Sequence, residues 1–258
     1  MMFQAIIIQN LYQLSDQQLE FQTTDRLSFK RFLGLTEADK SPDEKTFWAF
    51  RETLTTHELV EPLFDLFHAA LDAKGMFARK GQMVDATFVE VARQKDVDAR
   101  WTMKNGQRYY GYKNHVKVDS KSKLIEDYTV TAASVHDSQV LEELIVEGDP
   151  TTDLERAYVG ERCEKVFAER KVQAKPIGRA DRNKPLNGSQ KRNNRARSRT
   201  RVRVEHVFAT MRMSMRSAWQ RCIGLTRNRA VIALTNLVYN MVRFEQIERL
   251  GLKNWKAA

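Results

Sequence analysis

The sequence predicts a mixed α/β protein, with a helical segment over residues 1–80 followed by a mixed sheet flanked by helices over residues 81–258. Two observations carry this expectation. Apolar residues recur at helical spacing through the first segment, and near residue 81 the pattern shortens to runs rich in β-forming residues. Beyond residue 132, helical and strand patterns alternate. Hydrophobic residues make up 42% and charged residues 29%, a globular mixture rather than a disordered one. The longest purely apolar run, Ala5 to Ile8, is far too short to cross a membrane. No basic stretch followed by a hydrophobic one marks a secretory signal. Two distant cysteines, Cys163 and Cys222, exclude a disulfide framework and fit a cytoplasmic protein.

Each element has a local reason. Met2–Leu14 is apolar at helical spacing, and Ser15-x-x-Gln18 is a capping box that opens the next helix. Ser41-Pro42-Asp43-Glu44 starts another, with acids in its first turn. Leu59, Leu63, Leu66, Phe67, Ala70 and Leu71 follow one helical face that Gly75 terminates. Met83–Val89, Tyr109–Val118 and Leu124–Ala132 are strands, the last two joined by the polar hairpin Asp119–Lys123. Helices are expected at His136–Val146 and Glu161–Arg170, and short strands at Asp153–Ala157 and Ala174–Ile177. A basic loop, Gly178–Asn194, then leads into long helices at Arg195–Arg216 and Arg229–Leu250. Three strands joined in series, then helices and strands in alternation, is the ribonuclease H-like plan.

The net charge of +10 is unevenly spread. Between Arg179 and Arg229 lie 15 Lys/Arg and only two acids, Asp181 and Glu205, while the rest of the chain is slightly acidic. A block this basic that still carries apolar residues is an electrostatic footprint for nucleic acid, with a solvated basic face as the bland alternative. It lacks the wide apolar face of a membrane-surface helix.

Two acids stand out on this framework. Asp85 lies mid-strand between Val84 and Ala86, where a carboxylate is costly to bury unless it is used; an edge position is the competing reading. Glu205 is the only acid between Asp181 and Glu245. Arg201, Glu205 and Arg212 fall near one helical face, as a site beside bound phosphate or as a surface ion pair. Converging carboxylates are what two-metal phosphoryl transfer requires. His115, His136 and His206 fit no zinc spacing. Met211, Met213 and Met215 read as packing, and Trp101 and Trp219 as core aromatics or base-stacking groups.

Many short motifs in one order carry a family likeness. They include Leu11-Tyr12-x-Leu14-Ser15-Asp16, Asp25-Arg26-Leu27-Ser28-Phe29-x-Arg31-Phe32-Leu33-Gly34-Leu35 and Pro42-Asp43-x-x-Thr46-x-Trp48-x-Phe50-Arg51. Further on come Gly81-Gln82-x-Val84-Asp85-Ala86-Thr87, Asp98-Ala99-Arg100-Trp101 and Tyr110-Gly111-Tyr112-Lys113-x-His115-Val116. Val135-His136-Asp137-Ser138, Ala157-Tyr158-x-Gly160 and Arg203-Val204-Glu205-His206-x-Phe208 complete the set. The chain resembles the DDE transposases of bacterial insertion sequences over nearly its whole length.

The resemblance implies a DNA strand-transfer enzyme that cuts element ends and joins the freed 3′-hydroxyl to target DNA. It puts the catalytic, metal-binding acids at Asp85, Glu155 and Glu205, holding Mg²⁺ or Mn²⁺, with Asp153 as the alternative to Glu155. The DNA-binding residues it implies are Arg201 and Arg212, joined by Lys191, Arg192, Arg195, Arg197 and Arg199 of the basic block. It implies action on element ends and target DNA as a homodimer, in the bacterial cytoplasm and associated with the nucleoid. Two departures support a second reading, a truncated and degenerate copy that only binds DNA. Glu155 stands where the family has Asp, and the usual leader before Leu11-Tyr12 is missing from this sequence.

Overall fold

The computed structural model describes residues 1–92, 96–154, 160–176 and 188–256. Five helices come first: α1 (Met2–Tyr12), α2 (Asp16–Asp25), α3 (Leu27–Phe32), α4 (Glu44–Thr56) and α5 (Val60–Ala73). The capping box at α2 forms as expected: Gln18 N donates to Ser15 Oγ (3.2 Å) and Ser15 N to Gln18 Oε1 (2.9 Å). Asp43 caps α4 by accepting from Thr46 N at 2.8 Å. Gly75, at φ +62°, ends α5 and lets Met76 N reach back to Leu71 O at 3.0 Å.

The sheet follows. Its strands are β1 (Gln82–Val91), β2 (Arg100–Lys104), β3 (Gln107–Asp119), β4 (Ile125–Ala132), β5 (Thr152–Leu154), β6 (Ala174–Pro176) and β7 (Trp219–Gln220). The order is β2-β3-β1-β5-β6, with β4 also on β3 and β7 also on β1. β3 runs antiparallel to β1, β2 and β4, whereas β5 and β7 run parallel to β1. This mixed sheet with flanking helices is consistent with the ribonuclease H-like plan.

Alternation along β1 sorts its side chains between two layers. Val84 joins Leu154 of β5 in a core formed with α6 (Leu141–Leu144) and α7 (Glu161–Glu169). Met83 points the other way, into a core with Val116, Val118, and the helices α8 (Gly188–Ala209) and α9 (Leu225–Arg249). Phe64 of α5 shares that core, so the N-terminal helices and the sheet bury one continuous apolar surface. Polar clips fix α9 on the sheet. Asn236 and Asn114 exchange hydrogen bonds at 2.7 and 3.2 Å, and Asn240 pairs both backbone groups of Ile125 at 2.8 Å.

Several elements differ from expectation. β2 forms where no strand was expected, as one arm of a hairpin around Asn105-Gly106. α3 falls within the segment expected to be helical, although no local signal marked its bounds. The single helix expected at His136–Val146 is a 3-10 turn, Asp137–Gln139, and the one-turn α6. Tertiary ion pairs hold this stretch: Asp137 accepts from Lys113 Nζ (2.8 Å), and Asp149 both accepts from Lys117 Nζ (3.2 Å) and caps Val146 N (2.9 Å). α8 begins at Gly188, so the described part of the expected basic loop is helical. It ends at Ala209 in a π turn, Thr210–Ser214, rather than running on to Arg216. α9 starts at Leu225, four residues before the expected point. The strand expected at Asp153–Ala157 is β5, described only as far as Leu154, since residues 155–159 lie outside the described residues.

Gly111, in the middle of β3, has φ +150°, and a Cβ there would stand 2.2 Å from Val89 O of β1. Gly111→Ala is therefore expected to separate the two strands locally and destabilise the protein by about 2–4 kcal/mol. A urea-unfolding midpoint equal to wild type would contradict this close approach.

Candidate active site

Asp85 sits on the central strand and is 4% exposed, which excludes the edge-strand alternative. Its Oδ1 accepts from Ala86 N at 2.8 Å. By alternation it shares with Met83 and Thr87 the face of β1 that α8 covers. α8 packs against β1 and β5, and its Val204, wholly buried, meets Met83 in the same core. Glu205 follows Val204 and is exposed, so the two sequence-predicted acids lie on the two elements of one contact.

Arg212 reaches the same face by a less regular route. It sits in the π turn, where Met215 N bonds Thr210 O (3.2 Å), five residues back. Its Nε donates to Thr87 Oγ1 at 3.0 Å, and Nη2 donates to the same oxygen. Thr87 is buried and two residues from Asp85, so the guanidinium is anchored beside the acid rather than stacked above Glu205 along a continuous helix. Thr87 was not singled out from the sequence. The signal was present in the spacing Asp85-x-Thr87, which places both side chains on one strand face.

Asp153 is half-buried on β5, in register with Met83, and so faces α8 as well. Glu155 lies outside the described residues. Arg192 and Arg195 are exposed on α8. Lys191, Arg197, Arg199 and Arg201 belong to the same helix, with side chains outside the described set. Arg203, part of the same basic block, turns inward and donates to Ser120 O at 2.6 Å. Met211 and Met215 are core residues, whereas Met213 is 81% exposed. Among the described residues, no group of three or more His, Cys, Asp or Glu gathers as a metal cluster.

The opposite face of β3 carries a buried polar row. Lys113, His115 and Lys117, which alternation along β3 puts on one face, lie beneath the segment bearing Asp137 and Asp149. His115 bonds Thr131 Oγ1 through Nε2 at 2.9 Å. Burial, against the partial pull of Asp137, pushes its pKa down to about 4. The ring is thus uncharged at neutral pH, and its Nδ1, 4.0 Å from Asp137 Oδ1, makes no ion pair there. Glu126 beside the β3–β4 bulge is pushed up to about 8 by burial first, then by Asp119.

The chain matches the family described as Transposase DDE domain over residues 77–241, and the family described as Transposase domain (DUF772) over residues 1–53. The first match takes in well over half of the sequence, and the protein belongs to the DDE transposases. That family generally uses a divalent metal and acts on DNA. Among the described residues, no helix is long and apolar enough to cross a membrane.

The buried, neutral His115 gives a pH signature. Its folded pKa of about 4 lies below its ordinary 6.5, so protons favour the unfolded chain. Its contribution to stability is complete above pH 6.5 and is lost as pH falls towards about 4, amounting to about 3 kcal/mol. Glu126 acts in the opposite sense, costing stability as pH rises from 4.5 through about 8. Glu126 is common to both proteins, so between pH 7 and 4.5 the urea midpoint of wild type should drop relative to that of His115→Gln, whatever the shared trend. Equal slopes would contradict a neutral buried imidazole.

Proposed function

We propose that the protein is a DNA transposase of an insertion sequence, cutting element ends and transferring the 3′-hydroxyl to target DNA. The observation that carries this reading is the buried Asp85 on the α8-facing side of the central strand, with Arg212 anchored two residues away on Thr87. The basic block supplies the polyanion-binding surface around it.

The oxygen-only donor set of Asp85, Glu155 and Glu205 suits a hard divalent cation, Mg²⁺ or Mn²⁺. The register Val84↔Leu154 supports Glu155 as the third acid, since an acid follows each member of that pair in the chain. Bound there, the metal supplies water activation and charge neutralisation for phosphoryl transfer. Arg212, and Arg201 with it, neutralises the phosphate in the transition state. Lys191, Arg192, Arg195, Arg197 and Arg199 hold the backbone of the DNA. Residues 1–80 form a helical domain that serves end recognition or dimer contacts, and residues 81–258 form the catalytic domain. The working unit is a homodimer on DNA, associated with the nucleoid in the cytoplasm.

A second reading, a DNA-binding remnant without catalysis, is favoured by one feature. Glu155 is one methylene longer than the family's Asp, and such a displacement of a metal-bound oxygen costs on the order of 10²-fold in rate. Incubation with end-containing DNA and Mn²⁺ separates the two readings. The transposase reading expects slow cleavage by wild type, cleavage faster by about 10²-fold in Glu155→Asp, and none in Asp85→Ala. Cleavage by Glu155→Asp alone would establish the remnant.

A further inference from the structure

The β2–β3 hairpin is the most exposed regular element whose surroundings the site above does not explain. In β2, four of the five residues are exposed, among them Trp101 (49%) and Met103 (69%). The tip is a tight turn with Asn105 and Gly106 both at positive φ, 53° and 79°. No acid occurs from Arg100 to Val118, and Arg100, Lys104 and Arg108 decorate the two strands. Aromatic rings are interleaved with these cations. Trp101 lies 5.1 Å from Tyr110, and Tyr109 stacks on Phe88 at 4.3 Å with the Lys104 ammonium 5.9 Å from the Phe88 ring.

The root of the ribbon is rigid. Asp96 is 5% exposed, and its carboxylate accepts from Tyr112 Oη (2.8 Å), from Ala99 N (3.2 Å) and from Gly224 N at the start of α9 (3.1 Å). Its carbonyl oxygen accepts from Tyr110 Oη at 2.7 Å, and Asp98 caps α9 by accepting from Leu225 N at 2.9 Å. A two-stranded ribbon in water with apolar side chains outward is marginal on its own, and exposed apolar groups of this size mark a contact surface.

We propose that the β2–β3 ribbon is a DNA-contacting arm, distinct from the Arg179–Arg229 block, that enters the major groove of duplex DNA. The proposal rests on the transposase reading and adds a position on the duplex to it. A two-stranded antiparallel ribbon matches the width of that groove. Lys104 and Arg108 are solvent-facing cations on an acid-free ribbon and complement the phosphates of a duplex, while Arg100 donates to Val97 O and Ala99 O. Met103 and Trp101 offer apolar contacts to base edges such as the thymine methyl. The register also fits: Glu90 of β1 and Arg100 of β2 both pair with Gly111, five residues along β1 from Asp85. At about 3.4 Å per residue that is about 17 Å, or about five base pairs of B-form DNA. A duplex cut at Asp85 presents its groove to the ribbon about half a turn from the break.

The test uses the full chain and a duplex of about 30 base pairs of arbitrary sequence, because non-specific binding already reports phosphate contacts. Fluorescence anisotropy across a salt series should give Lys104→Ala/Arg108→Ala a log–log salt slope shallower than wild type by about 1.8. Met103→Cys carrying an aryl azide should cross-link to bases of the duplex. Absence of either signal overturns the proposal. If Arg192→Ala/Arg195→Ala still flattens the slope in that case, DNA binding by the basic block survives and only the arm fails. Failure of wild type to bind the duplex at any salt overturns both readings. Cross-linking to single strands alone, or loss of self-association in Lys104→Ala/Arg108→Ala with an unchanged slope, likewise overturns the groove assignment.

Discussion

A carboxylate at the centre of a strand packed on both faces constrains everything placed around it. β1 pairs with β3 on one side and β5 on the other, takes β7 at its far end, and is covered by α8 on one face and α6 and α7 on the other. Burying Asp85 in that position costs several kcal/mol unless polar or cationic groups meet it. Ala86 N donates to the carboxylate at 2.8 Å. The helix crossing this face belongs to the most basic stretch of the chain, and Arg212 from its far end is tied to the neighbouring Thr87. The charge surplus and the buried acid are two sides of one arrangement.

Local signals in the sequence located most of the elements. Ser15 and Gln18 define the start of α2, Gly75 the end of α5, and the Asp119–Lys123 turn the junction of β3 and β4, because in each case a few adjacent residues decide the backbone. Where distant partners decide, the sequence misleads. Val140, Leu141, Leu144 and Ile145 have the spacing of a longer helix, yet Asp137 and Asp149 are held by Lys113 and Lys117, and the helix is cut to one turn. β2 lacks a buried face, so no alternation announces it; only the Asn105-Gly106 turn does. Of the candidate site, Asp85, Glu205 and Arg212 were legible as residue types in a pattern. The anchoring of Arg212 on Thr87 was not, because it depends on how α8 ends.

That ending has a physical logic. In a continuous α-helix, Glu205 and Arg212 would lie two turns apart on one face, and both would look the same way. The π turn changes the winding just before Arg212, with Met211 and Met215 buried on either side of it. The guanidinium is thereby directed onto β1 while Glu205 stays at the solvent margin of the contact. Arg212 thus bonds to Thr87 rather than lining up with Glu205 as its i,i+7 neighbour on one helix. This also leaves the face beside Asp85 lined by groups from three different elements.

The basic residues divide accordingly into two populations. Arg203 and Arg212 donate to Ser120 O and Thr87 Oγ1 and so fix the helix and the turn after it to the sheet. Arg192 and Arg195, a few turns towards the start of α8, are exposed and carry no such duty. A chain that needed only a soluble surface would have little reason to concentrate cations of both kinds on one helix. Arg203 on α8 and Arg212 just beyond it tie this end of the helix to the sheet on the face that carries Asp85, while the outward cations lie towards its start. On the transposase reading, each phosphate contact made by those outward cations also fixes where the reacting phosphate stands.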